Sequence, residues 1–263
     1  MSLRGYGAGA GLISIVSPEL VSPELQETGS LPVMARRRIL GLLVALGSAM
    51  MLRGCGFFRG NSYRFKMTVE VETPHGLKTG SSVYDVRAYK TSDLLTGGSS
   101  SDSDLRGEAL AVDLPDGKTL FALLKTVNTP GHDDLAYMSM RSLDPAFNYN
   151  RAESAQRIES GDGIQSPAEV APSDYPMLVT FNDTNDPASV ARIDPRNLAA
   201  SLGAGVRLKS IMVEVTDDDV TISTRMRLDA LGVREGQGLD RTLGVTANPT
   251  LAQQLSYTDF ARR

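Results

Sequence analysis

The chain has 263 residues, yet no tryptophan, one cysteine and two histidines. A lone cysteine, Cys55, excludes an intrachain disulfide framework. With only His75 and His132 available, histidine chemistry is confined to two positions, and a zinc site, which needs three or four ligands, starts short of imidazoles. No Gly-x-Ser-x-Gly elbow, Gly-x-Gly-x-x-Gly turn or P-loop occurs. The sequence therefore singles out no serine nucleophile and offers no dinucleotide or nucleotide cradle. An excess of positive charge is missing too. The 27 Lys and Arg are outnumbered by 31 Asp and Glu, for a net charge of −4. A nucleic-acid partner leaves a basic footprint, and none is present. Long apolar runs are absent as well, with one exception.

That exception is Met34 to Cys55. Arg36, Arg37 and Arg38 form a compact cluster, and Ile39 to Leu52 follows without a charge. The run is shorter than the ~20 residues of an ordinary membrane span and has the length of a secretory h-region. The arginines are retained on the cytoplasmic side, which sends the chain after Leu52 outward. Its end, Leu52-Arg53-Gly54-Cys55, resembles the lipobox of bacterial lipoprotein precursors. Leu52 and Gly54 match that pattern, while Arg53 stands where a small or uncharged residue is usual. The resemblance implies that Cys55 is lipidated and becomes the new N-terminus. Gly56 follows, in place of the Asp that signals inner-membrane retention, which by the same resemblance favours the outer membrane. Two other readings stay open: an uncleaved anchor from Ile39 to Phe58 with Arg53 snorkelling to the interface, or an ordinary buried cysteine. Either form of anchoring makes the membrane a partner and places the rest in the periplasm.

The flanks divide the chain. Residues 1–33 carry a tandem pentapeptide, Val16–Leu20 repeated as Val21–Leu25. They read as a disordered extension foreign to the fold, with translation expected to start at Met34. Residues 34–54 are the signal or anchor, 55–62 a tether, and 63–263 one exported β-rich domain. The last segment is long enough to bury a sizeable core.

Within it, Tyr63, Phe65, Met67, Val69 and Val71 alternate with Arg64, Lys66, Thr68, Glu70 and Glu72. Period two over that length predicts a half-buried strand. Pro74-His75-Gly76 turns it into a second strand to Tyr89, whose parity shift at Val83/Tyr84 predicts a bulge. Lys90 to Arg106, rich in Ser, Gly and Asp, reads as a mobile loop. A second hairpin turns at Asp116-Gly117. Helices are expected over Asp133–Leu143 and Arg151–Glu159, and a strand over Met177–Phe181. A small helix is expected to be capped by Asp194 with Pro195 at its first position. Val206–Val215 reads as a strand with a bulge near Ser210. A further strand is expected over Val220–Leu228, and a terminal helix over Thr250–Ala261. Hairpins without regular strand–helix alternation predict an α+β, strand-dominated antiparallel sheet domain; the alternative is a β-sandwich.

Candidate chemistry is sparse. His132-Asp133-Asp134 offers metal-ligand types but reads better as an acidic helix start. His75 is explained by its turn. Asp217-Asp218-Asp219 and Asp183/Asp186 carry calcium-ligand oxygens without EF-hand spacing. Gly203-Ala204-Gly205 precedes a strand, the wrong side for a phosphate cradle. No catalytic, metal or cofactor residue is therefore assigned, and Cys55 is the one site, as a lipidation position. The expected function is a non-enzymatic binding or structural role with an envelope partner the sequence does not specify. The alternative is a membrane-anchored hydrolase using His132 or His75.

Overall fold

The structure is a computed structural model, and it describes residues 60–92, 99–127, 134–222, 233–240 and 248–263. The described residues hold ten strands: β1 (Asn61–Thr73), β2 (Gly76–Ser92), β3 (Ser99–Glu108), β4 (Leu110–Asp113), β5 (Thr119–Thr126), β6 (Ala168–Glu169), β7 (Pro176–Phe181), β8 (Val190–Ile193), β9 (Arg207–Val215) and β10 (Ala261–Arg262). Four short helices lie between them: α1 (Leu135–Leu143), α2 (Arg151–Ser160), α3 (Ala199–Leu202) and α4 (Leu251–Gln254).

The alternation in β1 does what its period requires. Tyr63, Phe65, Met67, Val69 and Val71 are buried and the intervening residues only partly so. Because one face is dry, the strand's register is strongly specified. β1 takes a central place, paired antiparallel with β2 on one side and β9 on the other. The six-stranded sheet runs β10-β3-β2-β1-β9-β6, and a four-stranded sheet runs β4-β5-β7-β8. Every pairing is antiparallel. This strand-dominated architecture of two antiparallel sheets with few short helices meets the α+β expectation and is also compatible with a sandwich.

The chain changes sheets between β3 and β4, at Ala109. There Gly107 has φ +144°, and a Cβ on it would meet the Tyr84 ring at 2.6 Å, so only glycine fits. The inner faces share one core. Phe65, Met67 and Val69 meet Tyr84, Val86, Leu110, Leu120 and Ala122, with Leu135, Met138 and Ile158 from α1 and α2. The other side of the four-stranded sheet is covered as well. Phe121, Val179 and Phe181 pack there with Val233, Leu239, Leu255 and Phe260. Double coverage explains why β7 is buried at all six positions and reads as a continuous apolar run rather than an alternating one.

Several expectations need correction. Val83 marks no bulge, since the β1–β2 register is unbroken from Asn61↔Ala88 to Thr73↔Gly76. Val83 faces the outer side and is buried there, its backbone N–H and C=O both bonded to Thr221. The bulge near Ser210 is present: Glu70 faces Ser210 and Val71 faces Leu208, leaving Lys209 extra. Most of Lys90–Arg106 is ladder rather than loop, pairing from Asp85↔Arg106 to Ser92↔Ser99. Residues 93–98 are outside the described set. Asp194 caps a turn, accepting from Arg196 N at 2.9 Å, and α3 starts at Ala199 without a side-chain cap. The terminal helix breaks at Leu255 into α4 and a short 3-10 turn over Tyr257–Asp259, each with its own capping box. Of the strand expected over Val220–Leu228, Val220–Ile222 is described and is not strand. The remainder lies outside the described residues.

Candidate functional site

The outer face of the six-stranded sheet carries the charges that β1 turns away from the core. Register lines them up in rows. Arg64 of β1 stands across from Asp85 of β2, and Asp85 stands across from Arg106 of β3. One step along the same face, Arg87 stands across from Asp104. Asp85-Val86-Arg87 and Asp104-Leu105-Arg106 are the same Asp-x-Arg triplet. Antiparallel pairing sets each Asp of one triplet opposite the Arg of the other.

A cleft of about 660 Å³ opens over this floor. One wall is the chain leaving β9. Arg64 Nη1 donates to Asp218 O at 2.6 Å and meets Asp219 Oδ1 at 3.4 Å. Thr221 is then fixed on β2, its Oγ1 accepting from Val83 N at 2.9 Å and its N–H donating to Val83 O at 3.2 Å. The other wall is the C-terminal segment. β10 pairs with β3 through Ala261↔Glu108 and Arg262↔Gly107, and Lys125 Nζ holds Asp259 Oδ1 at 3.2 Å below it. An adjoining hollow of about 460 Å³ shares Asp85, Arg106, Arg262 and Arg263 and adds Arg87 and Asp104.

Five arginines line the two hollows: Arg64, Arg87, Arg106, Arg262 and Arg263. Asp85, Asp104, Glu108 and Asp219 line them too. The arginines differ in commitment. Arg64 is tied to the wall, Arg263 Nη2 lies 3.7 Å from Glu235 Oε2, and Arg262 Nε donates to Thr258 O at 3.0 Å. Among the described residues Arg87 and Arg106 form no ion pair, although a carboxylate faces each across the ladder. Beside the cleft the surface charges pair off. Lys66 Nζ meets Glu214 Oε1 at 2.9 Å, and the hydrogen bond from that ammonium to Glu214 raises the Lys66 pKa. Hydrogen bonds from Lys209, then Ser210, lower that of Glu70.

Polar groups on the opposite, packed side are structural. Asp134 Oδ1 caps α1 by accepting from Tyr137 N at 2.7 Å. Its Oδ2 accepts from Arg151 Nη1 at 2.9 Å, and Arg151 N donates to Ser101 Oγ at 2.8 Å. Burial raises the Tyr63 pKa, against the opposing effect of its hydrogen bond with Ser139.

Cys55, His132 and Asp133 lie outside the described residues. His75 sits exposed in the β1–β2 turn, its backbone N–H donating to Thr73 Oγ1 at 3.2 Å. Asp183 and Asp186 spend their side chains on local backbone, accepting from Asn185 N at 2.8 Å and Ala188 N at 2.9 Å. Asp217, Asp218 and Asp219 lie in the bend after β9, away from both histidine positions in sequence, and only Asp219 reaches the cleft. Among the described residues no group of three or more His, Cys, Asp or Glu is placed to hold a metal ion. Sequence reading passed over Arg87, Arg106 and Arg262. The duplicated Asp-x-Arg triplet was the available signal, because it pairs with itself only when the strands run antiparallel. Compared with protein-family models, curated proteins and solved structures, the chain matches none.

Proposed function

We propose that this chain is a cell-envelope lipoprotein, anchored through Cys55, whose β-rich domain is a non-enzymatic binding module in the periplasm. The observation that carries the reading is the order of features in the sequence: Arg36-Arg37-Arg38, an uncharged run from Ile39, then Leu52-Arg53-Gly54-Cys55. Two structural facts are compatible with it. Strand β1 begins at Asn61, so Asn61 and Ser62 of the expected tether 55–62 belong to the sheet and the domain starts six residues after Cys55. No helix among the described residues is long and apolar enough to cross a membrane. The binding surface in this reading is the arginine-lined cleft, where side chains converge on a concave floor.

Labelled fatty acid tests the anchor. Incorporation into the wild-type chain, abolished in Cys55→Ser, is the expected result. A chain recovered in the cytoplasm without label overturns it. Hydrolysis of an ester, peptide or glycan substrate that disappears in His132→Ala replaces the binding role with catalysis.

A further inference from the structure

Resting on the reading of the cleft as the binding surface, we propose that it takes an oxyanion of the phosphate class, held by Arg87, Arg106 and Arg262. Cross-strand ion pairs form between residues directly opposite on one face. Asp85 and Asp104 occupy those positions, yet Arg87 and Arg106 close on neither. Among the described residues both forks are left without a partner, on the exposed face. Arg262 arrives from β10, which pairs with β3 at Gly107, and it lines both hollows together with Arg106. Its Nε donates to Thr258 O, which fixes the stem at the edge of the hollows.

Guanidinium forks match oxyanions geometrically as well as by charge. Three guanidinium groups, carried by three different strands, line the same hollow. A carboxylate offers two oxygens in one plane, whereas a phosphate offers three or four arranged tetrahedrally and satisfies all three. Asp85 and Asp104 set an upper limit on ligand charge. They repel an extended polyanion and tolerate a compact mono- or dianion seated on the arginines. A single phosphate group is the fit, whether free or as the diester of a lipid headgroup.

Calorimetric titration of the full chain in detergent micelles tests this with three probes: inorganic phosphate, pyrophosphate and glycerophosphoglycerol, a headgroup without its acyl chains. Saturable binding of at least one probe is expected at low salt, weakening as salt screens the exposed forks. In Arg87→Gln/Arg106→Gln the dissociation constant rises roughly tenfold or more, with the melting temperature unchanged. Should that variant fail to fold, Arg106→Lys is expected to keep the charge, lose the fork and weaken binding measurably. Binding of the free anions assigns a soluble phosphate, and binding of the diester alone assigns a headgroup. No saturable binding of any probe, or binding that survives the double substitution, overturns the proposal. A lipidated chain that binds none of the three sinks this proposal and leaves the anchor standing. A chain that binds phosphate but carries no lipid at Cys55 does the reverse.

Discussion

Asp144 has one of the most closely defined environments of any carboxylate in the domain. Its side chain is 1% exposed and receives Arg157 Nη2 at 2.6 Å and Nε at 3.1 Å. Burial alone would push its pKa upward, but the hydrogen bonds from Arg157 and from Ala146 N more than offset that and leave it below the ordinary value. A depressed folded value means that the unfolded state binds more protons in the window between the two. The contribution is therefore complete above the unfolded value of about 3.9 and disappears as pH falls through the folded one. Asp144→Asn should destabilise the domain by about 2–3 kcal/mol at neutral pH, less than a fully buried pair because Arg157 keeps some solvent. The variant should also show a shallower loss of stability on acidification below pH ~4. Thermal unfolding as a function of pH checks both, and an unchanged acid limb contradicts the assignment. Neither residue stands out in the sequence. They lie thirteen apart at the edges of α1 and α2, and nothing in the local pattern says that those helices meet there.

The strands show where a pattern speaks and where it is silent. β1 was legible because its two faces meet different media. β3 was not, because both its faces are polar for different reasons. Asp102, Asp104 and Arg106 meet water, while Ser101 and Ser103 turn inward to the buried Arg151. A Ser-Asp repeat facing an arginine has the composition of a loop and the register of a strand. The substitution Ser101→Ala with Ser103→Ala should therefore cost about 2–4 kcal/mol, since the buried Arg151 loses two acceptors. That corresponds to a melting-temperature drop of roughly 5–10 °C for a domain of this size. Asp102→Ala, on the exposed face, should stay within about 0.5 kcal/mol. Equal and negligible effects at both would return the segment to a solvated spacer. The same logic accounts for β7: its six buried residues carry no alternation, so the sequence announces a strand without saying that both faces are covered.

At the scale of the whole molecule, hairpins foretold antiparallel sheets and a strand-dominated domain. They did not foretell the sheet order. β1 and β9 join across about 140 residues, as the Glu70–Ser210 contact shows, and pairings that distant leave no local trace. The cleft is a product of those distant pairings: its floor comes from β1–β3, one wall from the chain beyond β9 and the other from the C-terminal segment. The proposed anchor is the opposite case, written in one contiguous stretch and independent of the fold behind it. Each buried methylene of an acyl chain contributes ~0.8 kcal/mol, so two or more chains hold a soluble domain firmly to a bilayer. The most direct measurement is the intact mass of the mature protein extracted from membranes with detergent. The account predicts a chain beginning at Cys55 and carrying the mass of its acyl groups. A membrane-bound chain that retains Arg36–Gly54 with an unmodified Cys55 would contradict it and leave the uncleaved anchor in its place.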